Sequence, residues 1–238
     1  MIDKLVIVEY AEGAGGEFIS SFISAHWGQN LSANPQKKPN HLQKWFNTYS
    51  LILADWDKNF KQHAKTFLGM CMEQDISRIA VPYHLYKWPH HQEVLQTLSL
   101  DTRFVGIDST GHEQRLFVDF QRKIANRILD CDDFGEIQLW LKDQPLAHQR
   151  WCMDLFRQKK LTLKDISPRF QILTNRSLPI VSNDFIISYG DFFVDFTKTS
   201  AAYERLCQQL DLVPDQELLV FLIDRNRKNL EQQNSLLT

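Results

Sequence analysis

The stretch from Leu5 to Ile23, LVIVEYAEGAGGEFISSFI, restricts the fold more than any other part of the chain. A run rich in β-branched residues comes first, then a loop with glycine at positions 13, 15 and 16, then Phe18, Ile19, Phe22 and Ile23 at helical spacing. That order predicts strand, tight turn and helix. Such a turn can cradle a phosphate, because glycines adopt positive φ and let the backbone approach a ligand, while the amides and dipole at the start of the next helix favour an anion. The same glycines would equally let a helix pack closely on a sheet, and both readings stand at this point. Two familiar phosphate motifs are excluded. The Gly-Lys-Ser/Thr ending of a P-loop is missing, since Glu17 follows Gly16 where the lysine would stand. The dinucleotide fingerprint lacks the spacing to its third glycine.

The remaining chain bounds the class. A length of 238 residues suffices for one good core, and a single α/β domain over residues 1–238 is expected. The net charge of -2 and pI near 6.4 argue against bulk nucleic-acid binding. Cys71, Cys131, Cys152 and Cys207 are scattered, with neither zinc-ribbon nor Cys-x-x-Cys spacing, which fits buried thiols in a reducing compartment. The apolar run at the start is too short for a signal-peptide core or a membrane span, so a cytoplasmic protein without a membrane partner is expected.

Further along, residues 29 to 41 are polar and aperiodic, and residues 42 to 72 read as two helices broken near Asp55 to Asn59. Ile76 to His84 reads as a buried strand ending in a proline and a histidine, and His84 draws interest because ligands in open α/β sheets bind at the carboxyl ends of strands. Trp88-Pro89 turns the chain into a short helix. Arg103 to Asp108 reads as a third strand, followed by a loop at Ser109 to Glu113 and a helix from about Gln114 to Leu129. A helical excursion is expected at about 130–175. Phe185 to Ser188 is another strand followed by a turn, then come helices over Thr199 to Leu210 and from Pro214, at the first helical position, to about Leu230. The basic run Arg225-Asn226-Arg227-Lys228 reads as a solvated helix end. His84, His90 and His91 lack a ligand spacing, and no metal is expected.

In this order the pieces resemble the sulfotransferase-like branch of the P-loop fold. Glu12-Gly13-Ala14-Gly15-Gly16-Glu17-Phe18 is similar to the family's loop around the 5′-phosphosulfate, including the aromatic residue after it. Pro82-Tyr83-His84 is similar to a Thr-His element near the reacting sulfate, and Phe104 through Arg122 to the strand, loop and helix that bind the 3′-phosphate. Ile187-Ser188-Tyr189-Gly190-Asp191-Phe192 looks like a Tyr-Glu-Asp-Leu turn, and Leu206-Cys207-Gln208-Gln209-Leu210 matches a Leu-Cys-x-x-Leu pattern.

The resemblance implies a three-layer α/β fold, a central mainly parallel sheet flanked by helices. It implies 3′-phosphoadenosine-5′-phosphosulfate as nucleotide donor and a small-molecule or glycan acceptor. Gly13, Ala14, Gly15, Gly16, Glu17 and Phe18 would hold the donor, Arg103, Ser109 and Arg115 would substitute for the 3′-phosphate ligands, and His84 would be the general base. The departures bear on catalysis. Gly13 stands where the family has a lysine on the bridging oxygen, Gly16 and Glu17 replace two hydroxyl residues, and Asp108 occupies the place of the 3′-phosphate arginine. Two alternatives stay open: a catalytically silent binding or interaction protein on the same fold, and a degenerate P-loop nucleotide-binding or kinase-like protein.

Overall fold

A computed structural model describes residues 2–10, 15–29, 56–83, 91–112, 115–116, 153, 157 and 184–237. The described elements, numbered in chain order, are β1 (Ile2–Glu9), α1 (Gly16–Ala25), α2 (Trp56–Glu73), β2 (Arg78–Tyr83), α3 (His91–Gln96), β3 (Ser99–Asp108) and β4 (Phe185–Ser188). A π-helical turn (Gly190–Val194), α4 (Phe196–Gln209) and α5 (Gln216–Leu237) complete them. The chain divides into two compact units, residues 1–111 with 178–228, and residues 112–177 with 229–238. The second is described only in part. In it the Leu116 amide donates to the His112 carbonyl (3.1 Å), and residues 153 and 157 are helical. Most of the expected helices over 114–129 and 130–175 lies outside the described residues, as do residues 30–55.

The first unit is an α/β structure built on a four-stranded sheet of order β2-β1-β3-β4, with every pair parallel. A parallel strand with both faces covered must be apolar without interruption, and Leu5, Val6, Ile7 and Val8 are all fully buried. Alternation sends Leu5 and Ile7 to one face, where Ile79, Val81, Tyr83 and Phe104 join Ala64, Phe67 and Cys71 of α2 in one core. Val6, Val8, Ala80 and Val105 point the other way and are equally buried. That face carries α1, whose Ile19, Phe22 and Ile23 are buried in turn.

Polar contacts fix the sheet's borders. Ser24 Oγ accepts from the Ala80 amide (2.9 Å) and Gln29 donates to the Arg78 carbonyl, so the even-numbered residues of β2 turn their backbone groups away from β1. Pro82 shares that parity, and its missing N–H therefore costs no ladder bond. On the other side Asp184 pins the start of β4, its carboxylate accepting from the Phe104 amide (2.8 Å).

Several boundaries differ from the sequence reading. β3 begins at Ser99 rather than Arg103, because pairing with β1 from Ile2 onward carries the polar Ser-Leu-Asp-Thr segment into the sheet. The turn after β4 is π-helical. Pro214 is not the first residue of α5. Asp215 caps that helix, its Oδ1 accepting from the amides of Glu217 (2.8 Å) and Leu218 (3.1 Å). α5 then runs on to Leu237, which puts the basic run in mid-helix rather than at its end. No helix among the described residues is long and apolar enough to cross a membrane.

Candidate functional site

From β1 the chain goes to β2 on one side and then to β3 on the other, so the strand order reverses between β1 and β3. In open α/β sheets the crevice outside the carboxyl ends of the strands at such a reversal is where ligands bind. Two turns flank it here. One is the glycine turn between β1 and α1. The other is Asp108 to Gly111 after β3.

Gly15 is the N-cap of α1 and adopts φ +80, a conformation that a side chain disfavours, so the N-cap residue itself supplies no side-chain bond to the helix amides. The Ile19 amide makes the first intrahelical bond, to the Gly15 carbonyl (2.9 Å), and the amides of residues 16 to 18 precede it. This backbone suits an anion. The glycines themselves answer to packing. A Cβ on Gly16 would lie 2.5 Å from Cε1 of Tyr10 and closer still to Cγ and Cδ1, and one on Gly15 would meet Phe193 Cζ at 3.2 Å. Tyr10 is itself only 4% exposed. Aromatic rings from the end of β1 and from the π turn therefore fill the space beside both glycines, and of the two readings of the turn close packing accounts for these positions directly.

Glu17 is exposed in the first turn of α1, where its charge complements the helix dipole. It is the only charged side chain at positions 15 to 18. Phe18 joins an aromatic cluster with Phe22 (5.6 Å between centroids), Phe193 (6.2 Å) and Phe221 of α5 (6.3 Å). The Arg225 guanidinium lies 3.5 Å from the centre of its ring, a cation–π contact that brings positive charge to the first turn of α1. Next to Arg225, Asn226 is 1% exposed and donates to the Phe192 carbonyl (2.8 Å). These two anchors lie within the basic run read as a solvated helix end. Spacing could have revealed them, because Leu222 and Asn226 share one helical face (i, i+4) with both side chains buried.

Around the second turn, Asp108 Oδ1 accepts from the Thr110 amide (3.0 Å) and hydroxyl (2.7 Å), and Gly111 follows at φ +79. Ser109 sits half-buried inside it. Sheet register places Glu9 of β1, also buried, between Tyr83 of β2 and Gly106 of β3 at the same end.

The expected site residues divide accordingly. Gly15, Gly16, Glu17, Phe18 and Ser109 lie at the carboxyl end of the sheet. Arg103 does not: it pairs in register with Val6, three residues back from Glu9, and its Nε donates to Asp101 (2.8 Å). Asp101 keeps that guanidinium still more firmly protonated and also meets Lys4 (3.4 Å), whose Nζ donates to the Leu210 carbonyl (2.6 Å). Arg103 thus belongs to a charge cluster in the amino half of the sheet. Arg115 falls in the second unit. Gly13, Ala14 and His84 lie outside the described residues.

No protein-family model, curated protein or solved structure matches the chain.

Proposed function

We propose that the protein binds a phosphorylated nucleotide outside the carboxyl ends of β1 and β3. Its reaction, as in the sulfotransferase-like proteins that the sequence resembles, is transfer of a sulfuryl group from 3′-phosphoadenosine-5′-phosphosulfate to a hydroxyl or amine of a small molecule or glycan. The supporting observation is that the glycine turn, which leads into the N-terminus of α1 at Gly15, and the Asp108–Gly111 turn flank the reversal of strand order in a parallel sheet. The donor, when bound, supplies an electrophilic sulfur and a phosphate leaving group. On this reading the amides at the start of α1 hold the phosphate and balance its charge. Ser109 offers a hydroxyl from the facing turn. His84, which follows the last residue of β2 in the chain, accepts the acceptor's proton. Arg103, held by Asp101, takes no part.

A second reading is a catalytically silent binding or interaction protein on the same fold. It draws on the filling of the space at Gly15 and Gly16 by Phe193 and Tyr10, and on Glu17 as an acidic charge in the first turn of α1. A thermal-shift panel separates these readings. Selective stabilisation by adenosine 3′,5′-bisphosphate supports the sulfotransferase-like reading, and a response to ATP or GTP instead points to a degenerate nucleotide-binding or kinase-like protein. No response to any of the three overturns the nucleotide-binding proposal and favours the silent interaction protein.

A further inference from the structure

His26 closes α1 and carries the one buried side-chain nitrogen or oxygen that lacks a hydrogen-bond partner among the described residues, its Nε2. The ring stacks on Tyr203 of α4 (5.8 Å between centroids, 27°) and meets Phe22 edge-on (5.7 Å, 83°). Its Nδ1 lies 3.1 Å from the Val213 carbonyl, in the segment that joins α4 to α5. A carbonyl can only accept, so Nδ1 carries the proton of the neutral ring and Nε2 is left as a bare lone pair. A second proton would create a buried N–H with no acceptor. Hydrating that N–H requires the ring to leave the Tyr203 stack and give up its bond to Val213.

The joining segment is also tied at its start, where the Leu212 amide donates to the Cys207 carbonyl (2.8 Å) and Lys4 reaches Asp211 (3.3 Å). Leu212 is buried, but the Val213 side chain is 82% exposed. The Tyr203 hydroxyl accepts from the Asp215 amide (2.7 Å) and donates to the Asp215 carbonyl (3.1 Å). The geometry points to an acid-sensitive latch, in which neutral His26 holds the α4–α5 segment against α1 and its protonation releases that segment. The consequence reaches further, because α5 sets Phe221 and Arg225 against Phe18 and ties Asn226 to the π turn beside Gly15.

Among the groups facing the ring, α1 contributes Phe22, which does not titrate. α4 contributes Tyr203, whose own ionisation burial pushes up beyond any relevant pH. The joining segment contributes Asp215, whose charge favours the protonated ring, although its Oδ1 is committed to capping α5. Burial outweighs Asp215 and the Val213 bond and keeps the imidazole below its ordinary value of 6.5. A base held below its unfolded value gives stability that is complete above pH 6.5 and is lost as the pH falls through that value toward the folded one. The latch does not depend on the nucleotide reading.

The test is hydrogen exchange of the whole chain at pH 7.5 and pH 5.5, read as protection factors, on the wild type, His26→Asn and His26→Phe. Asparagine keeps a donor where Nδ1 stood, and phenylalanine keeps the ring. The wild type should lose protection severalfold at residues 210–218 on acidification, and both variants should lose the pH dependence. An equal pH dependence in the variants overturns the latch. Should neither variant fold, the His26 ring resonance of the wild type decides. Titration below 6.5 supports the latch, and titration at or above 6.5 contradicts it.

Discussion

Replacing Gly16 with alanine tests whether packing, rather than a ligand, dictates the residue at the head of α1. The added Cβ would fall within 2.5 Å of Tyr10 Cε1 and nearer to two more ring carbons, whereas carbon atoms rest ~3.5–4.0 Å apart. The overlap therefore exceeds ~1 Å against a ring that is itself buried in close-packed surroundings. Overpacking of this kind costs ~1–3 kcal/mol, and the number of overlapping atoms argues for the upper end. Alanine also gains helix propensity over glycine, at most ~1 kcal/mol and less at the first helical position. The overlap wins, for a net loss of about 2 kcal/mol. Urea unfolding of Gly16→Ala in the wild-type and Tyr10→Ala backgrounds measures the coupling directly, and in the second background the substitution should be close to neutral. A Gly16→Ala protein as stable as the wild type, or an equal loss in both backgrounds, refutes the packing argument. A glycine kept only for a phosphate would instead leave the ligand-free protein unaffected.

Other contacts predict equally definite outcomes. Asn226→Ala leaves the buried Phe192 carbonyl with only the long contact from the Thr199 hydroxyl (3.5 Å) and should cost about 1–3 kcal/mol in urea unfolding, with the π turn losing exchange protection first. Ser24→Ala orphans the Ala80 amide at the outer edge of β2 and should cost about 1–2 kcal/mol, with faster exchange at Ala80 than at Val81. Burial pushes the Cys71 thiol up to about 12, so native protein at pH 8 should resist alkylation there, as read by mass spectrometry. The sign for stability follows. A thiol raised above its unfolded value of 9.0 contributes stability that is present below pH 9 and is lost as the pH rises through it toward 12, and Cys71→Ala should flatten that alkaline slope.

Local pattern made much of the sheet legible. β1, the turn and α1 stand out because an apolar run, clustered glycines and helical spacing follow one another within a few residues, and β4 agrees with its sequence bounds. The polar start of β3 was hidden because its place in the sheet comes from pairing with β1, a partner distant in sequence. The end of α5 was hidden because the residues after Leu230 contain no breaker, and the basic run resembled a terminus only while its burial was unknown. At the site, the turn itself was legible, but the reason for its glycines was not. Gly15 meets Phe193 across most of the chain, and no spacing rule connects those two positions. The charge of Arg103 suggests a phosphate ligand, and only sheet register shows how far it lies from the strand ends.

A nucleotide phosphate bound at the reversal of strand order would touch the turns on either side of it. Titrating labelled protein with adenosine 3′,5′-bisphosphate and following backbone amide shifts tests that binding most directly. Saturable shifts are expected at Gly15 to Phe18 and at Asp108 to Gly111, with little change at Arg103. Shifts absent from the glycine turn at saturation, or confined to the amino half of the sheet, would contradict it.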